Sequence, residues 1–328
     1  MNNKYYREDL KDVIDTALSL GFKGKSFLVT GATGMIGSVL VDALRNITYE
    51  HCIYLVGRDV NKIKSVFGDG FNTYDYKSID SIDADVEYII HLASPTTSSY
   101  LSNNPVETID LIYSTTKQLL DFSMKHHSKF LYVSSMEVYG EIYDENIRGE
   151  NDLGYISLTN TRNSYPEAKR LCELLCYSYY KEYGLDINVA RLSQTFGAGT
   201  SIDDPRIFGY IARCIRDKKD IVLKTKGDSI GNYCYLSDAL RALFYILSRG
   251  NNGETYNVVG DNTRSSIYDM AAMIAKELSN NAINVVVDID TNELYPNPTK
   301  LYMSNAKLKG LGWKPKYNLL DMFKRMIG

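Results

Sequence analysis

Apolar residues along this chain fall into two alternating patterns. Short runs such as Phe27-Leu28-Val29, Ile53-Tyr54-Leu55-Val56 and Tyr88-Ile89-Ile90 are too brief for helices and rich in the β-branched and aromatic residues of buried strands. Between them, apolar positions recur every three or four residues, as at Val39, Leu40, Ala43 and Leu44, the period of a helix with one buried face. The pattern predicts strands over 25–30, 52–56, 87–92, 130–134 and 186–191. Helices are predicted from the end of the first strand to about Asn46, from Val60 onward, over 105–127 and over 166–182. Strands that alternate with helices pair in parallel and are covered on both faces, since each crossover lays its helix on the sheet. An α/β fold with a doubly wound, Rossmann-type parallel sheet follows.

The two ends of the chain read differently. Leu10, Val13, Ile14, Ala17 and Leu18 recur at helical spacing before Gly21, so residues 1–24 are expected to form an appended packing helix. After Thr195 the regular alternation breaks down. Shorter helices over 204–217, 237–248 and 267–278, with short strands over 221–224 and 255–259, predict a smaller α/β lobe. The expected division is a dinucleotide-binding domain over 25–194 and a mainly substrate-binding lobe over 195–328. No repeat or low-complexity linker separates them, which predicts packed lobes with a ligand cleft between.

Composition narrows the class. With 328 residues, 44% hydrophobic and 23% charged, the chain can bury a substantial core. A net charge of -3 gives no basic footprint for nucleic acid or an anionic membrane. No apolar run reaches the length of a membrane span, and the charged stretch Met1 to Asp9 is unlike a secretory signal, so a cytoplasmic location is expected. Five cysteines and four histidines are scattered without ligand spacing, which predicts neither a disulfide framework nor a metal site.

The chemistry begins at Thr30-Gly31-Ala32-Thr33-Gly34-Met35-Ile36-Gly37, three glycines at three-residue spacing between a strand and an amphipathic helix. A pyrophosphate needs a tight turn, close approach to the backbone and a helix packed hard on its strand, and glycine supplies all three. The free N–H groups of the helix N-terminus complete the site. The second strand runs into Arg58 and Asp59. A carboxylate there holds both ribose hydroxyls of NAD, whereas an arginine pairs with the 2′-phosphate of NADP. With both present the choice stays open.

Tyr165 and Lys169 lie four residues apart near the start of a helix, hence on one face. An ammonium beside a phenol favours the phenolate, and with the positive ring of an oxidised nicotinamide it brings a tyrosine into range as a general base. The preceding strand ends in Ser134-Ser135, which can offer a hydroxyl to the same reacting oxygen.

Together with His91-Leu92-Ala93, the stretch Ser134 to Gly140, Ala190-Arg191, Thr195-Phe196-Gly197, Tyr235-Leu236-Ser237-Asp238, Tyr256 to Gly260 and Leu311 to Pro315, these motifs resemble the extended short-chain dehydrogenases of the NAD-dependent epimerase/dehydratase family, which act on nucleotide sugars. The resemblance runs from about residue 25 to the C-terminus. It implies catalysis by Ser135, Tyr165 and Lys169, with the turn residues Gly31, Thr33, Gly34, Met35 and Ile36, then Arg58 or Asp59, Leu92, Ala93, Tyr165 and Lys169 holding NAD or NADP. Ser94, Ser135, Met136, Gln194 and Arg206 are implied to meet a nucleotide-diphosphate sugar. Tyr165 would take a hydroxyl proton, usually at C4, as hydride passes to the cofactor. The helices over 105–127 and 166–182 are implied to form a homodimer interface.

Departures from the family's patterns sort the branches. Met136 stands where 4,6-dehydratases carry an acid, which disfavours simple dehydration. Glu137 matches the glutamate of dehydratases and UDP-glucuronate decarboxylases, either as a base or as a hydrogen-bonding side chain. Gly231 stands where decarboxylases carry an arginine, leaving phosphate binding to other groups such as Arg206 or Arg191. The leading expectation is a nucleotide-sugar epimerase with a retained cofactor. An NADPH-dependent ketoreductase, a decarboxylase-like or dehydratase-like enzyme, and a non-catalytic dinucleotide sensor are the alternatives.

Overall fold

The computed structural model describes residues 3–289 and 298–328. Its first half follows the periodicity closely. Strands β1 (Phe27–Thr30), β2 (Ile53–Val56), β3 (Asn72–Tyr74), β4 (Tyr88–His91), β5 (Lys129–Ser135) and β6 (Ile187–Leu192) alternate with helices. Those helices are α2 (Met35–Leu44), α3 (Val60–Phe67), α4 (Ser98–Asn103), α5 (Pro105–His126) and α6 (Ser164–Tyr183). Helix α1 (Lys4–Ser19) precedes them, and the Asn3 side chain caps it by accepting from the Tyr5 N–H at 2.8 Å.

The later elements are shorter. They are β7 (Gln194–Phe196), α7 (Ile207–Asp217), β8 (Ile221–Leu223), β9 (Ile230–Gly231), β10 (Tyr233–Tyr235), α8 (Leu236–Arg249), β11 (Thr255–Val258), β12 (Ser265–Ser266), α9 (Ile267–Ser279), β13 (Val285–Val287), α10 (Ala306–Gly310) and α11 (Leu319–Ile327). None of the described helices is long and apolar enough to cross a membrane.

Seven strands form one parallel sheet in the order β11-β6-β5-β4-β1-β2-β3. The chain builds outward from β1 to β3, then returns to the other side of β1 through β4. A crevice therefore opens at the carboxyl ends of β1 and β4, where successive connections leave toward opposite faces. Helices cover both faces, and two apolar clusters, one around Val29, Leu131 and Phe244 and the other around Leu28, Phe130 and Cys172, fill the space on either side.

Two expectations need correcting. The segments 237–248 and 255–259 do not belong to the smaller lobe: β11 pairs with β6 at the edge of the large sheet, and α8 packs into its core with Trp313. The Trp313 indole donates to the Asp238 carbonyl at 3.0 Å, tying the C-terminal region to α8. Helix α7 starts at Ile207 rather than Asp204, because Pro205 disfavours helical backbone at the residue before it and Arg206 stays extended.

The smaller lobe is built from α7, α9, α11 and three two-stranded pieces around Phe196, Phe208 and Met270. Helix α1 bridges it to the large domain. Val13 and Ala17 are fully buried against the α8 side, while the Asp9 carboxylate accepts from Tyr235 Oη and from Arg325 of α11, both at 2.5 Å.

Candidate active site

The glycine turn lies in the crevice, and its geometry leaves no room for side chains. Gly31 has a φ of +70°, and a Cβ there would sit 2.8 Å from the Ala93 nitrogen. A Cβ on Gly37 would meet the Ala32 Cα at 2.8 Å and the Gly31 carbonyl closer still. Both glycines thus let β1, the β4 loop and α2 converge, leaving a backbone cradle of the kind a pyrophosphate requires.

Beneath the cradle a one-way hydrogen-bond chain fixes the end of β4. Thr116 Oγ1 donates to the Ile112 carbonyl at 2.6 Å, so its oxygen accepts from His91 Nε2 at 3.1 Å. His91 Nδ1 then accepts from Thr30 Oγ1 at 2.7 Å, and Thr30 Oγ1 accepts from the Ala93 N–H at 3.1 Å. Burial, reinforced by the Lys169 charge, pushes the His91 pKa down to about 3, which keeps the ring neutral as this chain requires.

From the cradle a groove of about 480 Å3 runs in both directions, and apart from Arg191 it is bordered by every residue the sequence singled out for cofactor, substrate or chemistry. Gly31, Thr33, Gly34, Met35 and Ile36 form its floor, with Leu92, Ala93 and Ser94 beside them; Arg58 and Asp59 stand at one end. Ser135, Met136, Glu137, Tyr165 and Lys169 gather at the other, and Gln194 and Arg206 border it as well. Lys62, Tyr76 and Thr115, which the sequence did not mark, also line the groove.

At the reactive end the phenol of Tyr165 is buried. Burial, then the charge of Glu137, raises its pKa well above the ordinary value, while the Ser135 hydroxyl, Arg162 and the Ser94 hydroxyl pull the other way. Desolvation outweighs these favourable contacts. Lys169 is buried too, and desolvation lowers its pKa to about 8. Its ammonium donates to the Val133 carbonyl at 2.9 Å and lies 4.7 Å from the Tyr132 ring centroid and 5.9 Å from that of Tyr165. The Ser135 hydroxyl accepts from the Glu137 N–H at 3.2 Å, capping the short turn that carries Met136 and Glu137.

Glu137 faces Arg162 through a fork, with N···O distances of 3.2 and 3.4 Å. Arg206 is held by Asp204 at 2.9 and 2.6 Å and lies over the Phe208 ring, so its guanidinium sits at the groove's rim already paired. Gln194 Oε1 is a buried acceptor with no partner among the described residues. Arg191 is not a phosphate ligand. Its guanidinium is buried and committed to Glu173 at 2.6, 3.0 and 3.2 Å and to the Glu150 carbonyl at 2.6 Å. Among the described residues no cluster of three or more His, Cys, Asp or Glu could hold a metal ion.

A family model described as "NAD dependent epimerase/dehydratase family" matches residues 27–259, from β1 to the end of the large sheet. The chain belongs to this family. It is an enzyme of the family and works with a nicotinamide dinucleotide, NAD or NADP. Among curated proteins it is similar to UDP-glucuronic acid decarboxylase 3 of Arabidopsis thaliana, 29% identical over 301 residues, which span 90% of this chain and 85% of the relative. Among solved structures it resembles an epimerase from Methanothermobacter thermautotrophicus, with a TM-score of 0.78, 21% identity and coverage of 96% and 94%. A UDP-glucose 4-epimerase from Thermotoga maritima, solved with UDP-glucose, matches with a TM-score of 0.76, 21% identity and coverage of 92% and 97%. The two solved structures share this chain's overall fold, and the glycine cradle described above has the close backbone approach that a dinucleotide's pyrophosphate requires.

Proposed function

We propose that this enzyme is a nucleotide-diphosphate-sugar epimerase that transiently oxidises a ring hydroxyl, at C4 by family resemblance, and then reduces the ketone from the other face. The convergence of Ser135, Tyr165 and Lys169 at one end of the glycine-lined groove carries this reading. When bound, the nicotinamide takes up a hydride and gives it back. Tyr165 removes the hydroxyl proton, and Ser135 holds the reacting oxygen. Lys169, anchored on Val133, keeps a cation beside the phenolate as it forms. Burial favours the neutral phenol, so the protonated form that the reductive half of the cycle draws on is the resting form of Tyr165.

A second reading, decarboxylation of a nucleotide uronate, is favoured by the Arabidopsis relative and by the Glu137–Arg162 pair beside the reacting centre. Against it stands Gly231, which offers no side chain and has no atom within 4 Å of where a Cβ would lie. Met136 offers no acid for eliminating water. A panel of nucleotide sugars with only catalytic amounts of cofactor separates these readings. Epimer formation without CO2 release supports the proposal. CO2 from UDP-glucuronate selects the second reading, and turnover only with stoichiometric NADPH selects a ketoreductase.

The proposed partner is a second copy of the chain. Val106, Ile109 and Tyr113 on α5, and Leu171, Leu174 and Tyr177 on α6, are exposed apolar side chains at helical spacing. Helices α5 and α6 pack side by side, so the two rows form one apolar face of the kind that marks an interface.

A further inference from the structure

The end of the groove away from Tyr165 carries a charge pattern that the family description does not assign. β2 ends at Val56, and the next residue is Gly57. The position that directly follows the strand therefore has no carboxylate to grip the ribose hydroxyls. Glu107 lies against the Tyr100 hydroxyl outside the groove lining, whereas Asp59, the acid that lines this end, serves as the N-cap of α3, its Oδ1 accepting from the Lys62 N–H at 3.0 Å. That contact holds the carboxylate at the helix start.

Two cations remain. Arg58 and Lys62, one before and one in the first turn of α3, both line the groove and both are exposed to it. Neither is in an ion pair with a carboxylate among the described residues. Behind them the Tyr76 hydroxyl is buried, borders the groove and has no hydrogen-bond partner among the described residues. The hydroxyls of Tyr76 and Tyr100 lie within electrostatic reach of Arg58, so the guanidinium leans over this end.

We infer that Arg58 and Lys62 form a subsite for the 2′-phosphate of an adenosine ribose, so that the enzyme prefers NADP(H) to NAD(H). The inference rests on the glycine cradle being a dinucleotide site. A planar guanidinium presents paired N–H donors to phosphate oxygens, and Lys62 adds a point charge from the other side. A ribose with a free 2′-hydroxyl gains little from either.

Calorimetric titration of the full-length protein tests the subsite without turnover, using NADP+, NAD+, adenosine 2′,5′-bisphosphate and 5′-AMP. The 2′-phosphorylated member of each pair is expected to bind about tenfold or more tighter, with a preference that shrinks as salt rises. Arg58→Ala should remove most of that preference and change NAD+ affinity less than about twofold, because the side chain is exposed and supports no packing. Lys62→Ala should remove a smaller part. Equal affinity for NADP+ and NAD+, or equal weakening of both by Arg58→Ala, overturns the subsite while leaving the dinucleotide reading intact. If all four probes fail to bind, the dinucleotide reading falls and the subsite with it.

Discussion

Arg191→Met is the sharpest test of how this site is held together. The Arg191 side chain is 5% exposed and that of Glu173 10%. Three N···O contacts of 2.6 to 3.2 Å join them, and the guanidinium also donates to the Glu150 carbonyl. Glu173 accepts from Ser134 Oγ as well, at 2.5 Å, so the network reaches the strand end that presents Ser135. Removing the arginine strands a buried carboxylate with one hydroxyl partner, a defect that costs about 3–5 kcal/mol. At about 2.1 cal/mol/K of unfolding entropy per residue, 328 residues turn that into a fall of about 4–7 °C in Tm. The double variant Arg191→Met/Glu173→Met removes both charges and should regain most of the loss. Thermal melts followed by circular dichroism read both effects. An unchanged Tm with a raised KM for nucleotide sugar would refute the structural role and return Arg191 to the substrate's phosphates.

Two further outcomes follow from the structure. His91 is neutral with a pKa lowered to about 3 against an ordinary 6.5, so the unfolded chain binds the extra proton between these values. Its contribution is complete above about pH 6.5 and is lost as pH drops toward 3, a total loss of about 5 kcal/mol. His91→Asn should flatten the acid side of a urea-midpoint profile, and an unaltered profile would show that the ring is not buried neutral. Leu174→Glu, at a side chain 61% exposed on α6, should leave Tm nearly unchanged while shifting sedimentation from dimer to monomer. A wild-type monomer would remove the partner face from the account.

The sequence pattern carried the first half of the fold because each strand from β1 to β6, β3 apart, is at least four residues long and each major helix shows its buried stripe. Beyond Thr195 the strands shrink to two to four residues, too short to display a period of two. Placing β11 in the large sheet depends on a tertiary pairing with β6 that no local pattern encodes. At the site, glycine spacing and the Tyr165–Lys169 interval were legible because turn geometry and helix pitch dictate them. Commitments between side chains were not. Arg191 looked available until its pairing with Glu173 was visible, and the raised Tyr165 pKa reflects burial that the sequence does not display. Arg58 and Asp59 read as alternative groups for the ribose end, and only the structure displays Asp59 Oδ1 engaged as the cap of α3.

The most direct test of the central claim is the turnover of Tyr165→Phe on the nucleotide sugar that the wild type converts, measured beside cofactor affinity. Loss of a positioned general base and acid should slow turnover by about 100- to 10,000-fold. Cofactor affinity should change less than about twofold, since Lys169 and the glycine cradle are untouched. A Tyr165→Phe enzyme that turns over at the full rate would contradict the account.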